Sequence, residues 1–335
     1  MFDNDAWLAQ VRETIIDPDR PIIDPHHHLW DFPGSRYMFD ELLADVNSGH
    51  NVVATVFVEC TAMYRADGPV ELRPIGETEF VNGIAAQSAS GLYGPTRIAA
   101  GIVGFADLLL GDRIDAVLES HIAHAPDRFR GIRHASAYDD HPDVDNAHTN
   151  PPKALMQSTP FRTGFARLAH YGLSFDAWLF HHQVPELTSL ARAFPETIII
   201  FDHFGGPMGI GPYIGKRAEI FAQWKKDVAE LATCPNVMAK LGGINMTMNG
   251  FGWHKRDKPA TSDELVAATG DWYRVMIDLF GPERCMFESN FPMDRASASY
   301  ATHWNAFKKI AASYGETEKA ALFHDTARRV YRLDV

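Results

Sequence analysis

"PIIDPHHH", Pro21 to His28, is a short apolar run that ends on polar atoms. Its isoleucines form a buried strand, and the histidines sit where that strand ends. At the two-residue period of a strand, His26 and His28 point the same way and His27 points away. Two imidazoles converging from one strand end can share a metal ion or hold a substrate oxygen. The choice depends on what else ends beside them.

Similar runs recur along the chain. "VVATVFVEC" (Val52 to Cys60), "RIAAGIVGFAD" (Arg97 to Asp107) and "RFRGIRHAS" (Arg128 to Ser136) fill the first half. "LSFDAWLFH" (Leu173 to His181), "TIIIFDH" (Thr197 to His203), "NVMAKLGG" (Asn236 to Gly243) and "CMFESNF" (Cys285 to Phe291) fill the second. Between them lie amphipathic stretches such as "VPELTSLARAF" and "RAEIFAQWKKDVAELA", with apolar residues at helical spacing. About eight such alternations with near-continuous apolar strands predict parallel strands buried on both faces, hence an α/β fold of the (β/α)8 TIM-barrel type. The rival, a doubly wound open sheet, lacks a G-x-G-x-x-G after the first strand. It would also gather polar residues at one crevice rather than at many strand ends.

The 335 residues are 46% hydrophobic and 22% charged, which suits one large α/β domain over 1–335. An N-terminal extension covers 1–20, and Gly-, Pro- and Asn-rich loop insertions fall near 140–152 and 242–262. The net charge of −12 comes from well-mixed signs, and no cluster of Lys and Arg offers a phosphate-binding surface, so nucleic acid is not an expected partner. Cys60, Cys234 and Cys285 make an odd number without C-x-x-C spacing, which points to reduced thiols. No apolar run approaches the roughly 18 residues needed to span a membrane, and the start lacks a basic and apolar leader, so a cytoplasmic protein is expected.

Polar residues gather at the predicted strand ends: Glu59, Arg133 with His134, His181 and His182, His203, and Glu288 with Asn290. Imidazole and carboxylate are the usual ligands of zinc and similar ions, and a barrel places its site at that end of the strands. Arg133 is expected either to clamp a substrate carboxylate or to pair with a carboxylate of the barrel. Lys240 interrupts an apolar strand and is expected to pair with Glu288 or Glu59, or to serve the site. Asp202, of opposite parity to His203, is expected behind a ligand or outside the barrel. Trp178 and Tyr213 are expected, with Glu59, to line a substrate pocket.

With these pieces the chain resembles the amidohydrolase superfamily, in its amidohydrolase-2 group with 2-pyrone-4,6-dicarboxylate lactonase and sugar-acid lactonases. The matching segments are "IDPHHHLWD", "FRGIRH", "FHHQVPEL", "IIIFDHFGGP", "NVMAKLGG" and "MFESNFPMD", from Ile23 to Asp294. The resemblance implies a distorted (β/α)8 barrel. It also implies a ligand or catalytic set of His26, His28, His182 and His203, with His182 favoured over His181 through "HQVP". Members use one divalent ion, here zinc or manganese, or no metal, and both stay open. The chain departs from the pattern at the last strand, where Asn290 in "ESNFP" replaces the Asp of "GSDWP". An amide cannot take a proton, so Glu288 or Glu59 would replace that Asp as base, with Asn290 orienting water or substrate.

The expected activity is hydrolysis of a lactone or related ester of a small carboxylated compound, with self-association left open. A metal-dependent decarboxylase of an aromatic or muconate-type acid is the second reading. A barrel that binds a small acid without turnover is the third.

Overall fold

The computed structural model describes residues 4–335. Eight parallel strands run in chain order around one sheet. They are β1 (Ile22–His27), β2 (Val52–Val58), β3 (Arg97–Gly104), β4 (Phe129–Arg133), β5 (Ser174–Ala177), β6 (Ile199–Phe201), β7 (Val237–Leu241) and β8 (Cys285–Phe287). The sheet closes just beyond β8: Asn290 N donates to His26 O at 3.0 Å and His28 N to Phe291 O at 2.8 Å. The result is a distorted (β/α)8 barrel. The distortion is local, with register shifts in β1 between Asp24 and His27 and a closing seam made outside the last strand.

Strand parity sorts the side chains. Phe57, Ile102, Ile132, Phe175, Phe201, Leu241 and Phe287 face outward and pack under the helices in the main core, each worth about 1.5–3 kcal/mol when buried. Ile23, Val56, Val103, Ile200, Met238 and Met286 face inward, in one apolar cluster with Val330, Tyr331 and Leu333 from the chain's end. Two residues further along β6, β7 and β8 the inner course turns charged. Ile200 is followed by Asp202, Met238 by Lys240 and Met286 by Glu288, all fully buried. An apolar floor with an ionisable layer on top is therefore built by the two-residue period alone.

Helices cover the outside. The longest, Ser262–Phe280, starts at a capping box in which Thr261 Oγ1 accepts from Glu264 N at 3.2 Å and Glu264 Oε2 accepts from Thr261 N at 2.8 Å. The extension before β1 straps across it and the helix Tyr300–Ile310: Glu13 Oε1 accepts from Ser262 N at 2.7 Å, and Ile16 N donates to Asn305 Oδ1 at 2.9 Å. Cys60, Cys234 and Cys285 are free thiols. No helix among the described residues is long and apolar enough to cross a membrane.

Candidate active site

His26 and His28 meet at the mouth of the barrel, Nε2 to Nε2, at 3.3 Å. His27 turns away: its Nε2 lies 2.9 Å from Thr55 Oγ1 and its ring packs on Phe57. The Nδ1 of His28 is 2.8 Å from the Val58 carbonyl, which can only accept. His28 therefore carries its proton on Nδ1 and presents the Nε2 lone pair. The Nδ1 of His26 has two neighbours of opposite demand, Glu288 Oε2 at 2.9 Å and Lys240 Nζ at 3.1 Å.

His203 joins them from the turn after β6, with Nδ1 at 2.6 Å from Glu288 Oε1 and its ring centroid 4.4 Å from that of His26. It reaches this place because its φ of 54° breaks the strand. Had β6 continued, Asp202 would face inward like Ile200, and His203 outward. The left-handed turn brings both inside, which corrects the expectation that Asp202 lies behind or outside the site. Two glycines on β7's extension make the room. A Cβ on Gly243 would lie 2.3 Å from His203 Nδ1, and one on Gly242 2.4 Å from Glu288 Cγ.

Burial dominates the titration of this layer. It lowers His26 and His28 well below the usual imidazole range and His203 to about 3, so all three rings are neutral donors. Burial likewise pushes Glu288 up to about 8 and Asp202 to about 6, with Lys240 opposing it in both cases. Lys240 donates to Asp176 Oδ2 at 2.6 Å and lies 3.4 Å from Asp202 Oδ1. Its partners are thus Asp176 and Asp202, with His26 beside them. This corrects the expected pairing with Glu288 or Glu59.

Arg133 does not stand free. Its Nε donates to Glu59 Oε1 at 2.6 Å and its Nη2 to the Glu59 carbonyl, while Nη1 lies 3.4 Å from His26 Nε2. Of the two expectations, the pair with a barrel carboxylate is the one formed. Burial works to raise Glu59, but His148 and Arg133 outweigh it and hold the carboxyl well below its usual range. His148, 3.0 Å from Glu59 Oε2, comes from the loop at 140–152. Nothing in the local sequence marked that contact.

Asn290 is buried, but the turn at its φ of 54° takes it off the strand's course. Its Nδ2 donates to Asp294 Oδ2 at 3.4 Å. His182 also stands apart. It is solvent-exposed on the rim, with Nε2 3.1 Å from the Tyr138 carbonyl. There it lines a cavity of about 500 Å³ with Tyr213, whose hydroxyl donates to Asp139 Oδ2 at 2.6 Å. Trp178 does reach the centre, edge-on to His203 at 5.1 Å.

The donor set fits a divalent ion. Ligand atoms of His26, Asp202 and His203 lie within 4.8 Å of one another. Both oxygens of Asp202 are buried without a hydrogen bond, a costly state for a carboxylate that Lys240, 3.4 Å from Oδ1, offsets only in part. With its proton on Nδ1, His28 turns an Nε2 lone pair toward His26 Nε2, 3.3 Å away. Nitrogen and carboxylate oxygen are ligands that zinc and manganese accept.

A family model described as amidohydrolase matches residues 23–333. The chain belongs to the amidohydrolase family. It is thus an enzyme of the hydrolase class. An uncharacterized protein of Sinorhizobium fredii is 33% identical, over 94% of this chain and 99% of the relative. An L-fucono-1,5-lactonase of Burkholderia multivorans is 25% identical over 93% of this chain and 96% of its own length. The fold matches a solved Burkholderia multivorans amidohydrolase with bound zinc at a TM-score of 0.70 and 24% identity, covering 93% of this chain and 99% of the other.

Proposed function

We propose that this amidohydrolase opens a lactone ring by attack of water, at a divalent ion held by His26, His28, His203 and Asp202. The observation that carries the reading is the 3.3 Å approach of two imidazole Nε2 atoms beside a buried carboxylate neither of whose oxygens is hydrogen-bonded. Such an ion, zinc or manganese, supplies a Lewis acid for the carbonyl and lowers the pKa of water. The chain's own residues do the rest. Glu288 accepts the proton of the attacking water and shares it with His203 across their 2.6 Å contact. The same pair returns a proton to the ring oxygen as it leaves. Burial of the layer keeps bulk water away from these transfers.

The surroundings favour a neutral, hydroxyl-bearing lactone. With its guanidinium engaged on Glu59, Arg133 offers a substrate carboxylate one nitrogen rather than a fork. The rim instead presents Tyr213, His182 and Trp178, which suit hydroxyl groups and a sugar-like ring face. The lactonase named among the relatives supports this choice.

A panel of aldonolactones assayed with a pH indicator tests the reading. Acid release that is lost on chelation and restored by zinc or manganese is expected. Carbon dioxide release from aromatic or muconate-type acids, with no lactone opened, would replace it by decarboxylation.

A further inference from the structure

The chain leaves β2 at the mouth of the barrel and turns sharply. Thr61 and Met63, neither of them glycine, take left-handed φ values of 62° and 54° on either side of Ala62, a costly conformation that persists only where the surroundings impose it. Here they do. Glu77 Oε1 accepts from Cys60 N at 3.0 Å and Ala62 N at 2.8 Å, and Arg65 N donates to Arg73 O at 2.9 Å. Gly76, in the helix Ile75–Ala89, lets the turn lie directly on that helix: a Cβ there would meet Met63 O and, at 2.8 Å, Arg65 N. Ala62 packs with Trp30, whose ring stacks on His28 at 5.9 Å. The turn is thus fixed beside the ion site, and it is held on both sides of one residue, Tyr64.

The hydroxyl of Tyr64 is buried and hydrogen-bonded to nothing, although the residue as a whole is only partly buried. It feels the charges of Glu77, Glu59 and Arg133, and Arg133 Nη1 lies 3.4 Å from His26 Nε2. Burial first, then the carboxylates of Glu77 and Glu59, raises the phenol above its usual range, so it keeps its proton and can donate. Glu59 and Arg133 are already engaged with each other, and Glu59 with His148. Glu77 Oε2, likewise buried without a hydrogen bond, is the acceptor within the protein that competes for the phenol. An unmade hydrogen bond on a buried hydroxyl costs the free protein stability. A clamped turn that holds such a group beside a site has the arrangement of a donor prepared for a ligand.

We propose that Tyr64 is a specificity-determining residue whose hydroxyl donates to a ring hydroxyl oxygen of the bound lactone. The proposal rests on the reading of the site as one that opens lactones, and adds to it a group that tells a hydroxylated ring from a bare one. A hydrogen bond made on binding, with none lost from the free fold, separates this role from that of a structural tyrosine.

Tyr64→Phe keeps the ring and removes only the hydroxyl. Steady-state kinetics on an aldonolactone and on δ-valerolactone, which has the ring without the hydroxyls, give the preference as a ratio of kcat/KM values. That ratio should fall about tenfold, through a higher KM for the aldonolactone. The thermal melt should be equal to or above that of the parent, since no bond within the protein is lost. An unchanged ratio would overturn the proposal. So would a melt well below the parent's, or a variant that fails to fold, because the hydroxyl would then serve the protein's own structure through Glu77 or another group. If the parent opens neither lactone, the lactone-opening reading fails by itself, and thermal shift with the aldonolactone as ligand then decides the role of Tyr64. Stabilisation of the parent that weakens in Tyr64→Phe would uphold it, and an equal shift or no shift would overturn it.

Discussion

Glu288 lies between two imidazoles, hydrogen-bonded through Oε1 to His203 Nδ1 at 2.6 Å and with Oε2 2.9 Å from His26 Nδ1. It follows β8, beside the strand end that supplies His26, and its burial pushes the carboxyl up to about 8. Glu288→Gln keeps the size and removes the proton acceptor. We expect kcat on a lactone to fall by roughly 10²–10⁴, with a melting temperature equal to or above that of the parent, because an ionisable group has left an apolar site. Steady-state kinetics and calorimetry on the same preparation check both.

The two families of histidine should separate by metal content. His203→Ala removes a donor from the buried group, and the isolated variant should hold well under one zinc or manganese per chain by elemental analysis. His182→Ala, at the exposed rim, should keep the parent's stoichiometry and act on KM instead.

Arg133 and Glu59 are both buried and directly paired. Arg133→Met leaves Glu59 with His148 alone, and we expect a loss of about 3–5 kcal/mol in urea unfolding. Adding Glu59→Gln should recover part of that loss, since the uncompensated charge disappears. Equal stability of the single and double variants would show that the arginine matters through its packing.

Glu77 gives a pH signature away from the ion ligands. It is buried, and its Oε1 accepts from Cys60 N at 3.0 Å and Ala62 N at 2.8 Å. Burial, then the nearby Glu59, pushes it up to about 8. Between the ordinary carboxylate range near 4.3 and about 8, the folded chain keeps a proton that the unfolded chain has lost. Stability should therefore fall as pH rises through that window and level off above it. Glu77→Gln can keep both hydrogen bonds through its carbonyl. It should match the parent near pH 4.5 and exceed it by on the order of 3 kcal/mol above about pH 8, as read from paired urea melts.

Gly243 has a φ of 72° and faces the His203 ring. Gly243→Ala should displace that ring and cost about 100-fold in kcat, while circular dichroism still reports the barrel. A variant with parental kcat would mean that His203 can shift without consequence to turnover.

The alternation of apolar runs and amphipathic stretches carried the barrel, because parallel strands buried on both faces need nearly continuous apolar sequence whatever their neighbours are. The same local period put Ile200, Met238 and Met286 on one face, and Asp202, Lys240 and Glu288 one step above them. The H-x-H pair was equally legible, since residues two apart on a strand share a direction by geometry alone. Asp202 was misplaced for the complementary reason. Its parity was counted from His203, but the strand ends at Phe201 and a left-handed turn re-aims the histidine.

What the local pattern does not contain is which charge meets which. Lys240 takes Asp176 rather than Glu288, and Arg133 takes Glu59 rather than waiting for a substrate. His182 stays on the rim, and Tyr331 comes up from the floor to Asp176. These partners lie far apart in the chain, and only the closure of the barrel sets their distances. A buried charge is stable only when paired, so the sequence by itself determined that this interior needs partners, and the tertiary structure chose them.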